Sequence, residues 1–71
     1  MNRVKLYRKK YNLTQLDLSE IIGVTKDYIS QIERGRIPGM ETANKLAKLF
    51  DTTIDELFFE DIKNSKFYND K

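Results

Sequence analysis

The stretch Thr14–Gly35, TQLDLSEIIGVTKDYISQIERG, constrains the chain more than any other. Two short helix patterns stand back to back, each opened by a threonine and closed by a glycine. Thr14 opens the first, with Asp17 three residues on as the acidic partner of a capping box. Gly23 ends it, because the left-handed residue that closes a helix is most easily one without a Cβ. Thr25 can cap the second helix by accepting from a freed amide of its first turn. Gly35 ends that helix by the same glycine logic. Two helices joined by so tight a turn at Gly23-Val24 present the outer face of the second to a partner.

The flanking segments read as further helices. Val4, Tyr7 and Tyr11 recur at spacings of three and four, which predicts a first helix over 2–11 with these residues buried. Arg8 shares the stripe, an odd place for a charge. Asn12 tolerates the left-handed conformation and ends that helix, and Leu13 packs under the turn into the second. Leu18 and Ile22 point inward from helix two, with the small Ser19 beside them, and Val24 plugs the turn. Ile29 and Ile32 form the inner face of helix three, leaving Lys26, Asp27, Ser30, Gln31 and Arg34 outward and Tyr28 at the border. A loop at Arg36-Ile37-Pro38-Gly39 leads to a fourth helix over 40–50, with Ala43, Leu46, Ala47 and Phe50 inward. Thr53-Ile54-Asp55-Glu56 is a second capping-box pattern and starts a short fifth helix through Leu57 and Phe58. The register of the polar tail over 60–71 is not legible. The reading is an all-α, compact five-helix domain over 1–59, with 60–71 a tail that joins a dimer contact or stays disordered.

Composition narrows the function classes. Seventy-one residues make one small domain, of a size that buries only about 60% of its unfolded surface. The chain has no cysteine and no histidine, which removes disulfides, thiolate metal sites and the commonest general base. No glycine-rich phosphate loop is present either. Metal, cofactor and small-molecule ligand are therefore not expected, and an enzyme is disfavoured. No apolar run approaches the ~20 residues that span a bilayer, so no membrane partner and a cytoplasmic location are expected. Ten Lys/Arg against five Asp/Glu give residues 1–50 a charge of +5, while 51–71 carry −3. A basic body suits a polyanion, although an uneven but merely solvated surface would give the same counts.

The ordered set T-Q at a helix start, G-V at the turn, I-S-x-I-E-x-G closing helix three, a prolyl loop and I-D-E-L resembles the Cro/lambda-repressor (XRE-like) helix-turn-helix family of prokaryotic and phage DNA-binding transcriptional regulators. The resemblance covers roughly residues 3–58. It implies a lambda-repressor-like domain whose third helix enters the major groove of double-stranded DNA, as a homodimeric repressor on a near-palindromic operator. An antitoxin or controller-type module acting through a protein partner is the alternative on the same fold. The sequence departs from the family pattern at three places. Gly39 replaces a common serine and leaves helix four without a side-chain cap. Ser19 replaces alanine, so its hydroxyl must bond back to the helix or reach water. Asp51 stands where glycine is common.

Single residues carry two readings each. Lys26, Asp27, Tyr28 and Gln31 are the candidate base contacts: lysine donates to guanine, aspartate accepts from cytosine and glutamine bridges adenine. An acid at Asp27 is also favoured by the helix dipole alone, and Tyr28 could simply cover the domain edge. Gln15, Thr25, Ser30, Arg34, Arg36 and Lys10 are candidate phosphate contacts, each of which could be merely exposed. The resemblance pairs Arg8 with Glu33, tying helix one to the end of helix three; buried charges cost several kcal/mol unless paired. Leu57, Phe58, Phe59 and Ile62 are more apolar side chains than one small core needs at that end, and with Ile37 from the loop they are expected to form the dimer contact, the alternative being that Phe59 and Ile62 fold back on their own domain.

Overall fold

The computed structural model describes residues 2–59. Local rules set each helix end. Thr14 caps α2 (Gln15–Ile22) with a reciprocal box: its hydroxyl accepts the Asp17 amide and Asp17 Oδ2 accepts the Thr14 amide, both at 2.9 Å. Gly23 then takes the left-handed conformation (φ 88°) and returns its N–H to the Ser19 carbonyl. Thr25 caps α3 (Lys26–Glu33) through the Tyr28 amide, at 3.0 Å. Two more helices follow α3: α4 (Met40–Leu49) and α5 (Ile54–Phe58), with α1 (Val4–Lys10) ahead of the pair. All regular structure among the described residues is helical, as the sequence predicts.

Helix α1 starts later than its stripe suggests. Asn2 stands outside it, its Oδ1 accepting the Val4 amide at 3.1 Å while its Nδ2 donates to the Ile32 carbonyl at 2.7 Å. One side chain therefore starts α1 and fastens it to the end of α3. The adjoining Arg3 amide donates to the Leu57 carbonyl at 2.9 Å, fastening α5 as well. Asn12 is left-handed as expected (φ 61°), and so is Asp51 beyond α4 (φ 56°). Gly39 gives α4 no side-chain cap, and the buried Ser19 hydroxyl donates back to the Leu16 carbonyl at 2.7 Å.

The core is one cluster to which every helix contributes, with Val4, Leu18, Ile29, Ile32 and Leu46 sealed from solvent and Phe50 nearly so. Three sequence-based expectations change here. Tyr11 is 44% exposed rather than buried, its ring tilted against Phe50 at 5.4 Å and its hydroxyl donating to the Phe50 carbonyl. Glu56 does not close a box on Thr53, although the Thr53 hydroxyl does accept the Glu56 amide. Its carboxylate accepts instead from the Tyr7 hydroxyl at 2.9 Å and from the Thr52 hydroxyl. Leu57 and Phe58 are core residues, 1% and 7% exposed, so their side chains are withdrawn from any surface that a second copy could touch. Of the expected dimer contacts, Ile37 is exposed and Phe59 half-buried; Ile62 lies outside the described residues.

Candidate nucleic-acid interface

Helix α3 is held from behind by charge. Arg8 Nε donates to Glu33 Oε2 at 2.6 Å and Nη2 to Oε1 at 3.3 Å, with both residues only 8% exposed. Two-pronged contact of a planar guanidinium with a carboxylate fixes orientation as well as distance. The remaining capacity of the pair is also used. Arg8 Nη1 donates to the Leu13 carbonyl at 2.8 Å, and Glu33 Oε1 accepts from Gln15 Nε2 at 3.1 Å. Buried ions without such partners would be costly; no buried side-chain polar atom among the described residues lacks a partner. The network joins α1, the turn after it, α2 and α3, and so sets the angle at which α3 leaves the core.

The sequence predicts a phosphate contact for Gln15; in the structure its amide nitrogen donates to Glu33, a contact between residues 18 apart that no local pattern announces. A second unforeseen contact is Lys45, whose ammonium donates to the Ile22 carbonyl at 3.3 Å. A cation there meets the negative end of α2.

The outward face of α3 brings several candidates together. Gln31 Nε2 donates to Asp27 Oδ2 at 2.8 Å, and Arg36 Nη1 donates to Gln31 Oε1 at 2.6 Å. The Arg36 guanidinium lies 4.7 Å from the centre of the Tyr28 ring. Arg34 Nη1 donates to Ser30 Oγ at 2.8 Å. Lys26 and Thr25 are exposed at the N-terminal end of the helix. Lys10 stands apart from this group, its ammonium 5.7 Å over the Tyr7 ring. The Gln31–Asp27 spacing of four is legible in sequence, whereas the return of Arg36 onto Gln31 depends on the turn at Gly35.

Two carboxylates elsewhere are held below their ordinary range. For Asp17 the main cause is the hydrogen bond from the Thr14 backbone amide, then that from its hydroxyl. For Glu56 it is the Thr52 hydroxyl, then the Tyr7 hydroxyl, with Arg3 and Lys10 adding charge. Among the described residues no group of three or more acidic or metal-ligating side chains is placed to hold a metal ion. No described helix is long and apolar enough to cross a membrane.

A helix-turn-helix family profile matches residues 4–57. The chain belongs to this family. It is the Cro/lambda-repressor (XRE-like) helix-turn-helix family of DNA-binding transcriptional regulators. Within it, the chain is 42% identical over 62 residues to an uncharacterised HTH-type transcriptional regulator of Methanocaldococcus jannaschii, covering 84% of this chain and 94% of the relative. Its structure resembles the N-terminal DNA-binding domain of the master biofilm regulator SinR from Bacillus subtilis, with TM-score 0.71, 31% identity, and 89% and 94% of the two chains covered. It also resembles a chain of the SinR–SinI complex, with TM-score 0.74, 28% identity, and 96% and 69% covered. These family relationships agree with the all-α helix-turn-helix architecture.

Proposed function

We propose that this helix-turn-helix protein is a sequence-specific transcriptional repressor that acts in the cytoplasm as a homodimer. It binds double-stranded DNA at a near-palindromic operator, with α3 in the major groove. The observation that carries the reading is the α3 face. Asp27 and Gln31 stand outward one turn apart, on a helix whose tilt is held from behind by the buried Arg8–Glu33 pair. A base-reading helix needs that rigidity, since a small tilt would move its side chains off the base edges. Lys26, Thr25, Ser30 and Arg34 flank the face and supply phosphate contacts, which position the protein on the duplex. The Thr25 hydroxyl accepts from α3 and retains its own proton for a phosphate oxygen. Two copies would join through Ile37 and Phe59, setting two α3 helices about 34 Å apart, one DNA turn.

Footprinting on the DNA flanking the gene for this protein tests the reading. The expected result is protection of a near-palindromic site with half-sites one turn apart. Absence of any protected site, with the folded protein in micromolar excess, would remove it. A second reading is supported by the likeness to a chain of the SinR–SinI complex, in which that relative is joined to a protein. Here the domain would act as an antitoxin or controller module, and a protein encoded beside it would copurify in a fixed ratio.

A further inference from the structure

Base reading alone does not account for the way Gln31 is held. A glutamine amide has a donor end and an acceptor end, and in water its last torsion turns freely between them. In this protein both ends are occupied: Nε2 donates to Asp27 Oδ2 at 2.8 Å and Oε1 accepts from Arg36 Nη1 at 2.6 Å. The reversed amide would set its N–H groups against the guanidinium and its oxygen against the carboxylate, so both neighbours oppose it.

Arg36 reaches Gln31 because the chain doubles back. Gly35 adopts φ 122°, a conformation side-chain-bearing residues rarely take, and the Arg36 amide donates to the Gln31 carbonyl at 3.0 Å. The guanidinium rests 4.7 Å from the Tyr28 ring centre. Tyr28 is itself fixed, half-buried against the core with its hydroxyl accepting the Gly39 amide at 3.3 Å. The platform is thus anchored in the loop before α4, the guanidinium in the platform, and the amide in the guanidinium.

We infer that Arg36 is a positioning residue for base specificity, acting through Gln31 and not as a phosphate contact. The inference rests on the reading that α3 enters the major groove. With one N–H and one oxygen lone pair used, Gln31 keeps one of each for a base edge, the pair that adenine N7 and N6 require. Asp27 keeps its second oxygen one turn earlier, able to accept from a cytosine amino group. Ordering the amide before DNA arrives removes an entropic cost from binding. It also fixes which base fits, and exclusion of water in the groove strengthens the two hydrogen bonds that hold it.

The test uses the full chain, wild type and the variants Arg36→Ala, Arg36→Lys, Gln31→Ala and the Gln31→Ala/Arg36→Ala double. Each is selected on a library of randomised duplexes and titrated at several salt concentrations. The wild type should prefer one base pair at the Gln31 position by between about fivefold and a hundredfold. Arg36→Ala should cut that preference to within about twofold while leaving preferences at other positions in place. Arg36→Lys keeps the charge but not the planar contact with Tyr28 and Gln31, so it should retain the salt slope and still lose the preference. In the Gln31→Ala background, removing Arg36 should change no base preference. If Arg36→Ala keeps the wild-type preference and instead weakens all sequences alike, with a salt slope shallower by about one per chain, Arg36 is a phosphate contact and the inference fails. If the folded wild type selects no sequence at all, the base-reading function fails, and the positioning role fails with it.

Discussion

Arg8 and Glu33 show how one pair of residues can set the orientation of a helix. Each is nearly buried, so either alone would leave a charge in a poorly hydrated site. Arg8→Ala or Glu33→Ala is therefore expected to cost about 3–5 kcal/mol of stability, and the double variant less than the sum. Denaturant melts of the four-member cycle check this; additive losses would show that the pair is not coupled. Gln15 extends the same network through its 3.1 Å bond to Glu33. Gln15→Ala should lose about 1 kcal/mol with Glu33 present and close to nothing in the Glu33→Ala background.

At the scale of the element, the two central helices are capped well and α4 is not. Gly39 occupies its N-cap with φ −65° and ψ 166°, a conformation any residue adopts, and a Cβ added there meets nothing within 4 Å. Gly39→Ser should stabilise the domain by about 0.5–1 kcal/mol, through the new cap and a less flexible unfolded chain. Chemical denaturation would show this as a higher midpoint with an unchanged slope; a lower midpoint would contradict it. The α2 cap at Asp17 and the hydroxyl contacts of Glu56 also make stability depend on acidity. Asp17 and Glu56 both titrate below their ordinary values when folded, so the unfolded chain takes up protons first. Their contribution is complete above the unfolded carboxylate pKa, near 4, and is lost as pH falls through the lower folded values. Thermal melts from pH 6 to pH 2 should show the loss, and Asp17→Asn with Glu56→Gln should flatten it.

For the whole molecule, the proposed DNA binding would draw on the uneven charge and the exposed side chains around α3. With several phosphates neutralised, log affinity should fall with log salt by ~0.9 per phosphate contacted; titration of a bound fragment at several salt concentrations measures it, and a flat response favours the protein-module reading. Burial of Leu57 and Phe58 changes how the proposed dimer must be probed, because replacing either would destabilise the protomer itself. Ile37 is 56% exposed and can be changed without touching the core. Ile37→Glu is expected to weaken the dimer while leaving the melting of the monomer unchanged, as seen by sedimentation. A wild-type monomer at high micromolar concentration, binding one chain per site, would refute the dimer.

The sequence by itself determined that five helices form, the caps of α2 and α3 and the turn between them, because those features rest on contacts within three or four residues. Thr14 with Asp17, Thr25 with the Tyr28 amide, and the left-handed Gly23 and Asn12 are all of this kind. It also placed Arg8 on an apolar stripe, and with the family resemblance that was enough to pair it with Glu33. Only the tertiary structure decided which way α5 faces. A five-residue helix turns through more than one full revolution with too few residues to mark a face, so Leu57 and Phe58 read equally well as core or surface until α1 and α4 are packed against them. The same holds for Asn2 on Ile32, Gln15 on Glu33 and Arg36 on Gln31. Their partners are set by where helices cross and how the chain turns after Gly35, and neither helical periodicity nor residue type specifies those positions.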